Sequence, residues 1–256
     1  MKHIKKKYLF QKKIDTIEKE KLLKFEKQIG ILKNLDLKNN DLYVTTEEDY
    51  LLKAITLKNP KTKNISIIPI PDLTLVYFDS AYNLNIRRKE VENLLFEKLK
   101  PTENRLGEDV TNEIFQYYGN ASTCIISLFT CIESFINHII PDDKEFVKIN
   151  TNRKEVYNKE QIQRNLQFET KIKEVLPQLI NKKFEFKSLV YQDILRLKLL
   201  RDSIVHTKSD LNFKLQEELF QSILKFPYDK IFESVAKFIN FYKSDYITEC
   251  NCGKNF

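Results

Sequence analysis

Arg201, Asp202, Ser203 and His206 bring a permanent cation, a carboxylate, a hydroxyl and an imidazole into one short stretch of chain. An arginine does not lose its charge, so in a buried position it needs a partner carboxylate, a phosphate or a partly wet interface. An unperturbed imidazole titrates near pH 6.5 and can take or give a proton close to neutrality. Five residues along an unbroken helix turn through about 140°. Arg201 and His206 therefore reach one phosphate only if the helix bends or ends between them, or if a second subunit brings its own copy of the pair. Asp202 and Ser203 lie between the two and could orient the histidine or a ligand by hydrogen bonds.

The element carrying these residues is expected to run from Ser188 to about His206. Val190, Ile194, Leu197 and Ile204 step by four, three and seven and define one apolar seam, with Arg201 inside it. A second helix presents Ile125, Phe129, Ile132, Ile136 and Ile139 on one side, with Glu133 and Asn137 four residues apart on its flank. Glu133 is either the carboxylate that Arg201 needs, with Asn137 in the same network, or a solvent-facing residue at the edge of the seam.

Arg201 and His206 with four residues between them, the first of these Asp202, at the end of an apolar helix and after a separate Glu133-Ser-Phe-Ile-Asn137 helix, resemble the HEPN superfamily. The resemblance covers roughly Glu108 to Tyr242. It implies a four- to five-helix bundle that acts as a homodimer, with two motifs meeting in one cleft. The implied activity is a metal-independent endoribonuclease, in toxin–antitoxin or antiviral defence, with an antitoxin or regulatory protein as a possible partner. It also implies roles: His206 as general acid/base, Arg201 on the phosphate, Asp202 positioning either, and Glu133, Asn137 and Ser203 in support. No cofactor and no metal are implied. Such a fold does not by itself establish activity. The alternative is a non-catalytic HEPN-like module that binds RNA, a nucleotide or a protein, with Arg201 in a structural salt bridge and His206 a helix C-terminal residue.

The rest of the chain fits a helical protein. It has 256 residues, 42% of them hydrophobic and 31% charged, with only 4 Gly and 7 Pro. Scarce glycine argues against phosphate-cradling loops and tight hairpins, which need residues tolerant of positive φ. Lys+Arg exceeds Asp+Glu by 43 to 36, a net +7 that would attract RNA, DNA or anionic lipid, although lysine-rich coding bias supplies the same surplus. No apolar run approaches the roughly 18 residues of a spanning helix, so a cytoplasmic protein without membrane contact is expected. Cys124, Cys131 and His138 share a helix face, but seven-residue steps of about 10.5 Å are too long for one zinc, and they read as packing residues. Cys250-x-Cys252 lacks a matched pair. Tyr117, Tyr118, Tyr242 and Tyr246 could stack on bases or fill the core.

The expected fold class is therefore all-α. Residues 1–104 form a mainly helical N-terminal segment, 105–243 the bundle and 244–256 a polar tail. In the N-terminal segment, Ile14 to Leu32 and Thr46 to Leu57 are expected to be helical. Asn64 to Asp79, with Pro69 and Pro71, is expected to be extended, and helix resumes from Arg87 to Lys100. Lys5, Lys6 and Lys7 read as a frayed, solvated terminus. Further helices are expected over Glu108–Tyr118, Ala121–Ile140, Lys159–Val175, Phe213–Leu224 and Tyr228–Tyr242. A third reading makes the segment before Pro101 a DNA-binding module.

Overall fold

The computed structural model describes residues 4–13, 42–99, 108–151, 153–208 and 210–250. The amphipathic stretch Ile14 to Leu32 lies outside them. The chain forms two compact units, one of Lys6–Leu75 and one of Met1–Lys5 with Val76–Phe256.

The described residues of the smaller unit form a sheet, which overturns the all-α expectation. Its strands are β1 (Gln11–Lys13), β2 (Leu42–Thr45), β3 (Tyr50–Lys58) and β4 (Ile65–Pro69), all antiparallel to the long β3. The segment expected to be a helix, Thr46 to Leu57, supplies the β2–β3 turn and most of β3. Its burial has a period of two, with Leu52 and Ala54 inside, as a half-buried strand requires. The hairpins do without glycine. Asp49 and Lys63 take the left-handed conformation at φ 63°, where Asp is among the non-glycine residues most often found. Thr46 Oγ1 accepts from the Tyr50 N–H, and Asn59 Oδ1 accepts from the N–H groups of Lys61 and Thr62. Side chains thus make the turns that the composition had argued against.

β4 ends at Pro69, and helix α1 (Leu73–Lys98) begins far earlier than Arg87. Asp72 starts it by accepting from the Thr74 and Leu75 N–H groups through one carboxylate oxygen. The lysine run is tied down along its backbone. The Lys5 N–H donates to the Thr248 carbonyl, beside a buried Ile4, and the Lys7 carbonyl accepts from Asp72.

The larger unit is built on α2 (Glu108–Ile139), one continuous helix where two were expected, since a single Gly119 costs a helix only about 1 kcal/mol and does not break it. Val110–Ile139 is long and apolar enough by composition to cross a membrane, as a core helix also is. Here its apolar residues Ala121, Ile125, Leu128, Ile132 and Phe135 are buried, and the helix packs on α6 (Leu189–Val205) and α8 (Tyr228–Tyr242), with α7 (Lys214–Leu224) alongside. A second departure from an all-α fold follows α2: a hairpin of β5 (Phe146–Asn150) and β6 (Arg153–Tyr157), in register from Phe146↔Tyr157 to Asn150↔Arg153. Its edge is covered by Gln178, whose amide both donates to and accepts from the Val147 backbone.

The expected helix Lys159–Val175 is interrupted. α3 (Lys159–Asn165) has an Asn158/Gln161 capping box and stops at Leu166. α4 (Phe168–Thr170), a π-helical turn over Lys171–Val175 and α5 (Leu176–Ile180) then run on without a gap. Pro177 has no N–H for the carbonyl four residues before it, and the wider turn falls there. The residues expected to form a polar tail include buried Tyr246 and Ile247, the latter held by the Asn240 side chain through two bonds of 2.8 Å.

On α6 the buried face is Tyr191, Ile194, Leu197 and Leu200, and it carries a buried Asp193. Asp193 accepts from Ser234 Oγ of α8 at 2.8 Å and from Lys230 Nζ at 3.1 Å. Hydrogen bonds to a charged group contribute about 1.5–3 kcal/mol. Ser234→Ala is therefore expected to lower stability by roughly that amount, read as a fall in the urea midpoint at unchanged m-value.

Candidate functional site

Local chemistry fixes both ends of α6. Ser188 Oγ accepts from the Tyr191 N–H at the start. At the end Val205 is the last helical residue, and His206 caps it at φ −111°, ψ 54°, its own N–H still donating to the Asp202 carbonyl. The helix therefore runs unbroken through Arg201 and stops at His206.

Arg201 has the partner that its charge requires. Its Nη2 donates to Glu133 Oε2 on α2 at 2.8 Å, and its Nη1 donates to the adjacent Asp202 Oδ1 at 2.9 Å. The guanidinium lies 4.5 Å from the centre of the Phe129 ring, one turn before Glu133. Face-on contact with an aromatic ring favours a cation, so three groups hold this one in place. Two of five guanidinium N–H groups are used in these bonds, and the side chain is 21% exposed. Asp202 is shared: its other oxygen accepts from Lys198 Nζ at 2.7 Å.

His206 faces elsewhere. With Asp202, Ser203 and Lys208 it lines a cleft of about 470 Å³ whose opposite wall is α7, through Leu215 and Glu218. The side chain is exposed. Ser203 Oγ donates back to the Leu199 carbonyl at 3.0 Å, leaving its lone pairs toward the cleft. One chain thus groups Asp202, Ser203 and His206 at the cleft, and Arg201 with Glu133 against α2. Asp202 belongs to both groups.

Asn137 lies beyond Glu133 in a smaller pocket of about 200 Å³. It is not bonded to Arg201. Its Oδ1 accepts from Lys171 Nζ at 3.1 Å, and its carbonyl accepts from Gln163 Nε2 at 3.2 Å. Lys171 also donates to the Gln163 carbonyl at 2.9 Å. Burial pushes the Lys171 ammonium below the ordinary lysine range, against the pull of the Glu133 carboxylate. Sequence reasoning missed Lys171, Lys198 and Gln163. Only Lys198 left a signal, four residues before Asp202 on the same helix.

The remaining candidates are structural. Cys124 and Cys131 are buried, and burial pushes the Cys124 thiol up to about 12. Tyr117, Tyr242 and Tyr246 are core residues, and Tyr118 packs on Phe220 at 4.4 Å between ring centres. Cys252 lies outside the described residues. Comparison with protein-family models, curated proteins and solved structures gives no match.

Because burial lowers the Lys171 pKa on folding, holding the ammonium charged costs stability at neutral pH, and that cost is relieved as the pH rises through the folded-state value. Titration by carbon-13 NMR of labelled lysine is expected to show Lys171 deprotonating below the ordinary lysine range. Glu133→Gln should lower its midpoint further, since the carboxylate favours the ammonium. An unchanged midpoint in that variant would mean that the two groups are not coupled.

Proposed function

We propose that the chain is a HEPN-type endoribonuclease, acting as a cytoplasmic homodimer without a metal ion. The observation that carries this reading is the end of α6. There Asp202 bonds to Arg201 on one side and lines the His206 cleft on the other. A second copy supplies the geometry that one helix does not, setting the Arg201 of one chain near the His206 of the other. The resemblance of Arg201-Asp202-x3-His206 to that family supports the same arrangement.

In this reaction the ribose 2′-oxygen attacks the neighbouring phosphorus and its proton passes to an imidazole acting as base. The bond to the 5′-oxygen breaks, and a protonated imidazole, from the second copy, gives that oxygen its proton. The products are a 2′,3′-cyclic phosphate and a 5′-hydroxyl. Arg201 stabilises the charge that gathers on the phosphorane oxygens, through N–H groups not used by Glu133 and Asp202. Asp202 keeps the guanidinium aimed. Toxin–antitoxin or antiviral defence is the setting in which such an activity would serve.

The second reading is a non-catalytic binding module. The observation in its favour is that Arg201 already has two carboxylates and an aromatic face, which is sufficient for a structural ion pair.

The two readings separate on one pair of variants. On the first, His206→Ala and Arg201→Ala each reduce cleavage of total RNA in EDTA by about 10²-fold or more, the range typical of losing an acid/base group or a charge-stabilising donor. On the second, no variant changes cleavage because wild type has none, and Arg201→Ala acts only on the melting temperature. Since the pair is partly exposed, that thermal effect should correspond to about 1 kcal/mol rather than the several kcal/mol of a fully buried charge.

A further inference from the structure

The cleft at His206 does not end there. It shares Leu199, Leu200, Ser203, Glu218 and Ser222 with a second cavity of about 970 Å³ between the same two helices, so the pair form one groove. The helices run antiparallel: the start of α7 lies at the His206 end, and its last turn lies beside Gln192 and Arg196 of α6. From His206 back to Gln192 the groove follows fourteen residues of helix, about 21 Å at 1.5 Å each.

Its charges are unbalanced. Lys208 stands at the His206 end, and Arg196 and Lys225 stand at the far end. None of the three has an ion-pair partner among the described residues. Of the two carboxylates along the groove, Asp202 is answered by Lys198 and Arg201, while Glu218 is solvent-exposed with Lys214 at 4.0 Å, which leaves three cations against one such carboxylate. The floor is apolar, with Leu199 64% exposed in it. Cations at both ends of an apolar floor suit a chain of phosphates whose bases are unpaired, because phosphates take the charge at the ends and base faces cover the leucines between. A duplex has its base faces stacked inside it and could not cover the leucines in this way.

We propose that the α6–α7 groove is the path of single-stranded RNA, with Arg196 and Lys225 as backbone-contacting residues remote from the scissile phosphate at His206. The proposal deepens the ribonuclease reading and rests on it for the direction of the strand, but it is tested by binding alone. The probe is a short fluorescent single-stranded RNA, fully 2′-O-methylated so that it has no nucleophile, titrated with the full chain by anisotropy over a range of salt. For single strands the slope of log affinity against log salt is about 0.7 for each phosphate that the protein neutralises. Arg196→Ala with Lys225→Ala, which leaves two phosphates to their counterions, is therefore expected to flatten the slope by about 1.4 and to weaken binding to different sequences alike.

Arg196→Lys should keep the wild-type slope. So should Lys237→Ala, which removes a cation outside the groove, paired with Glu233 at 3.8 Å. Both groove residues are exposed, so their variants should melt as wild type does. The proposal fails if the double variant keeps the wild-type slope, if wild type does not bind the probe, or if duplex RNA binds better. It also fails if an acidic peptide competes as well as unlabelled RNA, which would make the groove a protein site. Binding of the expected kind without cleavage of ordinary RNA would sink the nuclease reading and leave the groove standing. Cleavage with an unaltered slope in the double variant would do the reverse.

Discussion

The larger unit is organised by a charge that cannot be neutralised. Arg201 sits where α6 crosses α2, over the ring of Phe129, and a guanidinium there is tolerable only with carboxylates in reach. Glu133 supplies one across the helix interface, and Asp202 supplies the other from the next position along the chain. The pair favours one register of α6 on α2, because sliding either helix by one turn would separate the charges, and it adds about 1 kcal/mol to the larger contribution of the buried apolar side chains. Asp193, two turns earlier on α6, does the same toward α8 through Ser234 and Lys230. The helix is thus pinned by polar contacts to both neighbours, while Ile194 and Leu197 fill the space between.

This pinning explains why the end of α6 can serve as a site. The chain leaves helical geometry at His206, and an imidazole at a frayed terminus would sample many positions. Asp202 restrains the last turn twice, by its carbonyl to the His206 N–H and by its carboxylate to Arg201 and Lys198. The backbone at His206 is therefore held while its side chain remains free to meet a ligand. In the proposed reaction this division matters, since a proton-transfer group must be positioned and also reachable by solvent.

The site was more legible in the sequence than the fold was. Arg201 within an apolar period is a local anomaly, and it demands a carboxylate whatever the tertiary structure, so Glu133 could be named from a neighbouring helix flank. Asn137, on the same flank, could not be placed by the same logic. Its amide is claimed by Lys171 from an interrupted helix whose position no local pattern reveals. The strands were hidden for a related reason. In Tyr50–Lys58 adjacent Leu51 and Leu52, followed by Ile55, mimic helical spacing, whereas burial follows Leu52 and Ala54 alternately.

The deeper cause of that misreading lies in the turns. Glycine scarcity argues against hairpins, but the constraint is on φ and not on residue type. Asp49, Lys63, Asn181, Phe213 and Asp245 all take positive φ. For an L-residue this costs of the order of 1–2 kcal/mol, less for Asp and Asn, whose side chains bond locally. At Lys63 the Asn59 side chain and backbone close the turn around it, so local hydrogen bonds offset the strain. At Phe213 Asp210 plays the same part, its carbonyl accepting from the Phe213 N–H and its carboxylate from the Leu215 N–H, and the conformation sets the first turn of α7 and with it the wall of the groove that faces His206. Two of the residues that composition argued could not make turns therefore shape parts of the molecule, the sheet and the groove, that the sequence pattern alone did not disclose.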